Sequence, residues 1–206
     1  MNRIAAIIPV GTIESAKSRL GGSLDAEERR DLVDGMLTRT VITALEVPRL
    51  DDVLVISPDP TVIERAAALG ARTLRQRSDG LRAGLAEARD DVVAGGADAV
   101  VVLPIDLPYL SIAAVDALVD SLDDDGAPSV VLVTDRHGTG TNALALRPPD
   151  IIEFAFGPDS RAAHRRLATA AGARYTEIES PLAMDQDTPE DLVLLGTADP
   201  ERLVVG

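Results

Sequence analysis

The sequence predicts an α/β fold, a sheet covered by helices. Three observations carry that expectation. Short aliphatic runs alternate with stretches of helical periodicity along most of the chain. Hydrophobic residues make up 46 % of the sequence and aromatic residues only 2 %, so aliphatic packing must build the core, as it does in helix-covered sheets. Finally, two carboxylate-bearing stretches, around Asp106 and around Asp185, fall where parallel strands would end, and the ligand crevice of an open α/β sheet lies beyond such ends.

Residues 4–9 are an aliphatic run that reads as the first strand. After a polar loop, Asp25-Ala26-Glu27-Glu28 offers an acidic, capped helix start. Leu32, Val33, Met36, Leu37, Val41 and Leu45 then recur at helical spacing. Residues 53–56 form a short buried strand ended by Ser57-Pro58-Asp59-Pro60, and a helix over 61–69 stops at Gly70. Thr73-Leu74 gives a further short strand. A helix over about 80–94 ends at Gly95-Gly96, before the strand 99–103 that delivers Asp106.

The second half continues with a helix over 111–122, a turn at Asp123-Asp124-Asp125-Gly126 and a strand over 129–133. A Gly-rich loop over 135–142 feeds the aliphatic run 143–146. Residues 154–160 form another loop, and Ser160 can cap a helix that runs to about 171. A strand near 175–178 and a last helix over 189–195 complete the pattern.

Length and charge limit what such a fold could do. At 206 residues the chain suits one well-cored domain spanning 1–206. A formal net charge of −14 repels nucleic-acid backbones and anionic lipid over most of the exterior, so neither is expected as a partner. Any bound phosphate must be held by a local basic patch or a metal. The chain contains no cysteine, which excludes disulfides and thiolate metal sites. The apolar start is too short for a signal peptide or a membrane span, so a cytoplasmic protein is expected. The sequence carries no signature of oligomeric state.

Several segments could carry chemistry. Asp106 lies between Ile105 and Leu107-Pro108, too apolar a setting for a merely solvated charge, although a turn or cap role would also explain it. Asp185 and Asp187 alternate along an extended segment, which lets both carboxylates face one side and hold a metal. Glu190 and Asp191 read more simply as favourable charges at a helix start. Phe156-Gly157-Pro158-Asp159-Ser160-Arg161 is a loop turning into a helix, whose backbone N–H groups and dipole suit a phosphate or carboxylate. An ordinary helix start with a solvated basic face of His164, Arg165 and Arg166 is the alternative. Gly138-Thr139-Gly140-Thr141 could be a hairpin turn or a ligand-lining loop. Lys17, the only lysine in the chain, and Arg19 lie beyond the first strand, where they could neutralise a triphosphate and its leaving pyrophosphate. The stretch 11–22 is not a P-loop, which argues against a Walker-type ATPase.

Taken in order, these pieces resemble the guanylyltransferases of coenzyme F420 biosynthesis, which act on phosphoenolpyruvate or 2-phospho-L-lactate. The resemblance rests on Ile8-Pro9-Val10 with Ala16-Lys17-Ser18-Arg19-Leu20, Asp106-Leu107-Pro108, Gly138-Thr139-Gly140-Thr141, Phe156-Gly157-Pro158-Asp159-Ser160 and Asp185-Gln186-Asp187-Thr188-Pro189. The Asp-bearing motifs are shared widely with other nucleotidyltransferases, and the two glycine-containing loops are the specific part. The resemblance implies a nucleotide-diphospho-sugar-transferase-like (Rossmann-like) mixed sheet with helices on both faces. It also implies Mg²⁺ carried by Asp106 and Asp185 together with Asp187, and an acceptor phosphate and carboxylate met by Thr141, Gly157 and Ser160. Two departures fall near the nucleotide: Gly11 stands where the family often has Lys, and Leu81-Arg82 where it often has Leu-Asn.

The implied reaction joins GTP to a small phosphorylated carboxylic acid, phosphoenolpyruvate first. The acceptor's phosphate is already an anionic nucleophile, so no general base is required, and the lack of an evident Ser/His/Asp or Cys/His set is expected. Catalysis reduces to alignment and charge neutralisation by Mg²⁺, Lys17 and Arg19. The competing readings are a transferase for 2-phospho-L-lactate or 3-phosphoglycerate, and a non-catalytic nucleotide-binding protein of the same fold. Joint retention of Lys17, Asp106, Asp185 and Asp187 weighs against the last, while Gly11 weighs for it.

Overall fold

The computed structural model describes residues 3–13, 26–122 and 126–184. Along the chain run β1 (Ile4–Pro9), α1 (Ala26–Glu46), β2 (Asp52–Ser57), α2 (Pro60–Ala68), β3 (Arg72–Arg75), α3 (Leu81–Ala94) and β4 (Ala99–Val102). They are followed by α4 (Ile112–Asp120), β5 (Ser129–Val133), β6 (Ala143–Arg147), α5 (Ser160–Ala170), β7 (Arg174–Glu177) and a 3₁₀ turn at Pro181–Ala183. The strands form a seven-stranded sheet in the order β3-β2-β1-β4-β6-β5-β7. Among the described strands only β6 runs against its neighbours, β4 and β5; the other paired strands are parallel.

The period-two alternation of strands sorts the core into two layers. Ile4, Ala6 and Ile8 of β1 pack with Leu37 and Val41 of α1, Val62 of α2 and Leu118 of α4 on one face. Ala5 and Ile7 pack with Leu85 and Ala88 of α3 and Ala168 of α5 on the other. Because both faces are covered, β4, β5 and β6 are buried at every residue, and apart from Ser129 and Arg147 at their ends they read as continuous aliphatic runs rather than alternating ones.

The structure refines several sequence expectations. β3 extends over Arg72–Arg75, and α4 stops at Asp120. The aliphatic run at 143–146, which the Gly-rich loop feeds, is the strand β6 and extends to Arg147. Its reversed direction follows from the brevity of the 134–142 connection, since a parallel crossover needs a dozen or more residues. The acidic residue Asp25 and the expected helix over 189–195 lie outside the described residues. No helix among the described residues is long and apolar enough to cross a membrane.

This winding positions the site. From β1 the chain moves outward through β2 and β3, then returns to place β4 on the opposite side of β1. The strand order therefore reverses between β1 and β4, and an open α/β sheet has its crevice at the carboxyl ends of strands flanking such a point.

Candidate functional site

A cleft of about 790 Å³ opens at that edge of the sheet. Pro104 and Asp106 enter it from the loop after β4, and Asp79, Gly80 and Arg82 from the start of α3. Asp135, Gly140 and Thr141 reach it from the β5–β6 loop, and Phe156, Gly157 and Ser160 from the approach to α5. Thus Asp106, Thr141, Gly157 and Ser160, distant in sequence, share one cavity. Lys17, Arg19, Asp185 and Asp187 lie outside the described residues.

Each wall is fixed by its own hydrogen bonds. The Gln76 amide donates to the carbonyls of Ser78 (2.7 Å) and Gly80 (3.1 Å), and Glu87 accepts from the amides of Arg77 and Ser78. The hydrogen bond from Ser78, opposed by slight burial, holds the Glu87 carboxyl below its ordinary value. Gly84 makes room for this arrangement, because a Cβ there would stand 2.6 Å from Gln76 Cδ.

In the β5–β6 loop Asp135 Oδ1 accepts from the Thr139 amide at 2.8 Å. Burial pushes the Asp135 carboxyl up, but amide hydrogen bonds from Gly140, Thr139 and Gly138 and the charge of His137 leave it net lowered. A side chain at Gly140 would meet Asp135 Oδ2 at 2.7 Å. The loop is thus wound around a carboxylate instead of forming a plain hairpin turn. Arg161 clamps it from outside, donating Nη1 to the Gly138 carbonyl at 2.9 Å and Nη2 to Glu177 at 2.8 Å.

The start of α5 departs from the expected cap. Ser160 is the first helical residue, not the cap, and the cap position belongs to Asp159, which has a left-handed φ of 55° and makes no side-chain cap bond. The Ser160 amide donates to the Gly157 carbonyl and the Arg161 amide to the Thr139 carbonyl, both at 3.1 Å. These two first-turn donors are therefore spent on the loops. What faces the cleft is a pair of hydroxyls: Ser160 Oγ donates to Thr141 Oγ1 at 3.0 Å.

That pair rests on His164, which is fully buried and so does not belong to a solvated basic face. Its Nδ1 lies 3.1 Å from Thr141 Oγ1, and its Nε2 accepts the Ala155 amide at 2.9 Å. Burial first, and then the nearby positive charge of Arg82, push the His164 pKa from 6.5 to about 4. The imidazole is neutral at ordinary pH. Ser160, His164 and Ala168 are the buried positions of α5, and their i, i+4, i+8 spacing is the sequence signal that separates His164 from Arg165 and Arg166. Asp79 carried no comparable signal.

Gly157 has a φ of 125°, and a Cβ there would come within 3.1 Å of Arg82 Nη2. The backbone conformation favours glycine, and Arg82 leaves little room for a side chain. On the far side, Asn142 Nδ2 donates to the Leu182 carbonyl at 3.0 Å, tying the start of β6 to the last described turn. Among the described residues, no group of three or more His, Cys, Asp or Glu gathers into a metal site. Asp106 supplies a hard oxygen donor from the β4 end, a donor type that would suit a divalent ion held chiefly by substrate phosphates and water.

Comparison with known proteins identifies the family and the fold. Residues 4–197 match the family model described as guanylyl transferase CofC like. A phosphoenolpyruvate guanylyltransferase of Sphaerobacter thermophilus is 45 % identical over 189 residues, covering 91 % of this chain and 89 % of the relative. Among solved structures, a putative nucleotide-diphospho-sugar transferase from Desulfovibrio desulfuricans superposes with a TM-score of 0.78 at 17 % identity, covering 98 % of this chain and 91 % of that one. Glucosyl-3-phosphoglycerate synthase from Mycobacterium tuberculosis, solved with Mn²⁺, uridine diphosphate and phosphoglyceric acid, superposes with a TM-score of 0.60 at 17 % identity, covering 95 % and 74 %. The fold is that of nucleotide-diphospho-sugar transferases, and the chain belongs to the CofC-like guanylyl transferase family.

Proposed function

We propose that this protein transfers GMP from GTP to phosphoenolpyruvate, giving enolpyruvyl-2-diphospho-5'-guanosine and pyrophosphate, as a step of coenzyme F420 biosynthesis. The carrying observation is that the Thr141–Ser160 hydroxyl pair and the Gly157 turn line the same cleft as Asp106, which brings an anion-binding wall to a carboxylate at the switch point. A phosphate oxygen of the acceptor attacks the α-phosphorus of GTP. The new P–O bond forms as the bond to the bridging oxygen breaks, and pyrophosphate leaves with that electron pair.

The chain's own residues supply orientation and charge. Thr141, Ser160 and the Gly157 segment hold the acceptor so that its phosphate is presented in line. Lys17 and Arg19 counter the charge that builds on the leaving pyrophosphate. Asp106, with Asp185 and Asp187, would hold Mg²⁺, which when bound neutralises the phosphate oxygens. The name of the Sphaerobacter relative supports phosphoenolpyruvate as the acceptor.

The test is pyrophosphate release with GTP and, separately, phosphoenolpyruvate, 2-phospho-L-lactate and 3-phosphoglycerate. The highest kcat/KM is expected for phosphoenolpyruvate, and a clear preference for another acid reassigns the acceptor. Binding of GTP without release with any of the three would instead favour a non-catalytic nucleotide-binding protein.

A further inference from the structure

The three polar groups behind the acceptor wall share few hydrogens. Because His164 Nε2 accepts the Ala155 amide, a neutral ring must carry its hydrogen on Nδ1. That Nδ1–H then donates to Thr141 Oγ1, at 3.1 Å, and Ser160 donates its hydroxyl to the same oxygen. The ring packs in a T-shaped arrangement against Phe156, with centroids 5.2 Å apart and planes at 75°.

Counting hydrogens gives the consequence. The chain His164, Thr141, Ser160 has two links and three hydrogens: one on the ring and one on each hydroxyl. Two are spent on the links. The third remains on a hydroxyl that lines the cleft, whichever of the two carries it. Were Nδ1 bare, Thr141 would have to donate inward to the ring. The pair would then turn lone pairs toward the cleft, which repel an anion.

We propose that His164 is a positioning residue for the acceptor: donation of its Nδ1–H into the Thr141–Ser160 pair leaves that pair as a hydrogen-bond donor to the acceptor's phosphate or carboxylate. This deepens the acceptor-site reading above and rests on it. His164 never touches substrate. It sets the polarity of the two hydroxyls that do, and through Ala155 it fixes the strand of chain that leads into Gly157. A histidine at this place therefore acts as a permanent donor, not as a titrating acid or base.

Two substitutions divide the ring's functions. In His164→Asn the side-chain amide can sit near the Nδ1 position and still donate to Thr141, whereas in His164→Gln it reaches the Nε2 position and serves Ala155 instead. The expected result is an acceptor KM raised about tenfold in His164→Gln, with the KM for GTP little changed, and substantial recovery in His164→Asn. In a Thr141→Val background the Gln substitution should add no further effect on the acceptor KM, because the hydroxyl through which it acts is gone.

Equal effects of Asn and Gln, or an undiminished effect of Gln in the Thr141→Val background, would overturn the proposal alone. An unchanged acceptor KM in Thr141→Val itself would overturn the acceptor-site reading and this proposal with it. The tautomer gives a measurement that requires no variant: ¹⁵N NMR of the parent protein should show His164 protonated at Nδ1, and protonation at Nε2 overturns the inference.

Discussion

Arg82 Nε donates to the carbonyl of Phe156 at 2.7 Å, so the start of α3 is bonded directly to the loop that opens α5. The same guanidinium stands beside Gly157 and, after burial, is the second cause of the lowered pKa of His164. Two walls of the cleft that come from distant parts of the chain are thereby made into one. Its long side chain carries the link from α3 to the loop of Phe156 and Gly157.

Removing that link should loosen the acceptor wall without dismantling the fold, because Arg82 is exposed. Arg82→Ala is expected to raise the acceptor KM roughly tenfold, the scale of one lost hydrogen bond from a charged group. Steady-state kinetics with each substrate varied in turn checks this. A rise confined to the KM for GTP would place Arg82 on the nucleotide instead.

Gly157→Ala confronts the loop from the other side. At a φ of 125° any Cβ is strained, and this one would also press Arg82 Nη2 at 3.1 Å. The guanidinium end can shift by a few tenths of an ångström, but the backbone cannot adopt this φ without cost, on the order of 1–3 kcal/mol. The variant should show a lowered unfolding midpoint and weaker acceptor binding together. Parent-like stability by urea denaturation would mean that the turn relaxes without strain.

Much of this architecture was legible in the sequence because burial on both faces leaves a plain mark. The runs at 53–56 and 130–133 are continuous and aliphatic, and Gly70 and Gly95 end their helices where expected. The direction of β6 was not legible, because a buried strand reads the same either way and only the short loop before it fixes the sense. Thr141, Gly157 and Ser160 stand in recognisable motifs and line one cleft, but their hydrogen-bond partners leave no mark in the sequence. The first-turn amides of Ser160 and Arg161 are taken by the carbonyls of Gly157 and Thr139, pairings that no motif reveals. His164 was hidden beside Arg165 and Arg166, since composition makes such a run look like a solvated face and only the four-residue spacing reveals the buried position.

Asp106→Asn should cut kcat about a hundredfold or more while leaving the fold intact. The residue is part-exposed in the cleft, so an isosteric amide costs little in packing, yet it cannot supply the charge a divalent ion needs. Circular dichroism and thermal melts should match the parent. Binding of Mn²⁺ in the presence of GTP, followed by water-proton relaxation, should weaken in parallel with turnover. If ion binding is unchanged while activity falls, the carboxylate acts on substrate and not on the metal.

The pH dependence of stability offers an independent view of His164. Its pKa is depressed from 6.5 to about 4 in the folded protein, so between those values the unfolded chain binds a proton that the native chain refuses. Stability therefore falls as pH drops through this window, by on the order of 3 kcal/mol when pH 4 is reached, and it does not change on this account above 6.5. The lowered carboxyls act elsewhere on the scale. Glu177, held down by the Arg161 guanidinium, and Asp135 give stability that is complete above their ordinary values and lost only as pH falls through their depressed ones. Urea midpoints measured from pH 7 to 4.5 should thus decline in the parent and stay nearly level in His164→Asn, which has no ring to protonate. Parallel slopes in the two proteins would show that the buried imidazole is protonated as readily folded as unfolded, and that the Ala155 amide does not hold its Nε2 lone pair.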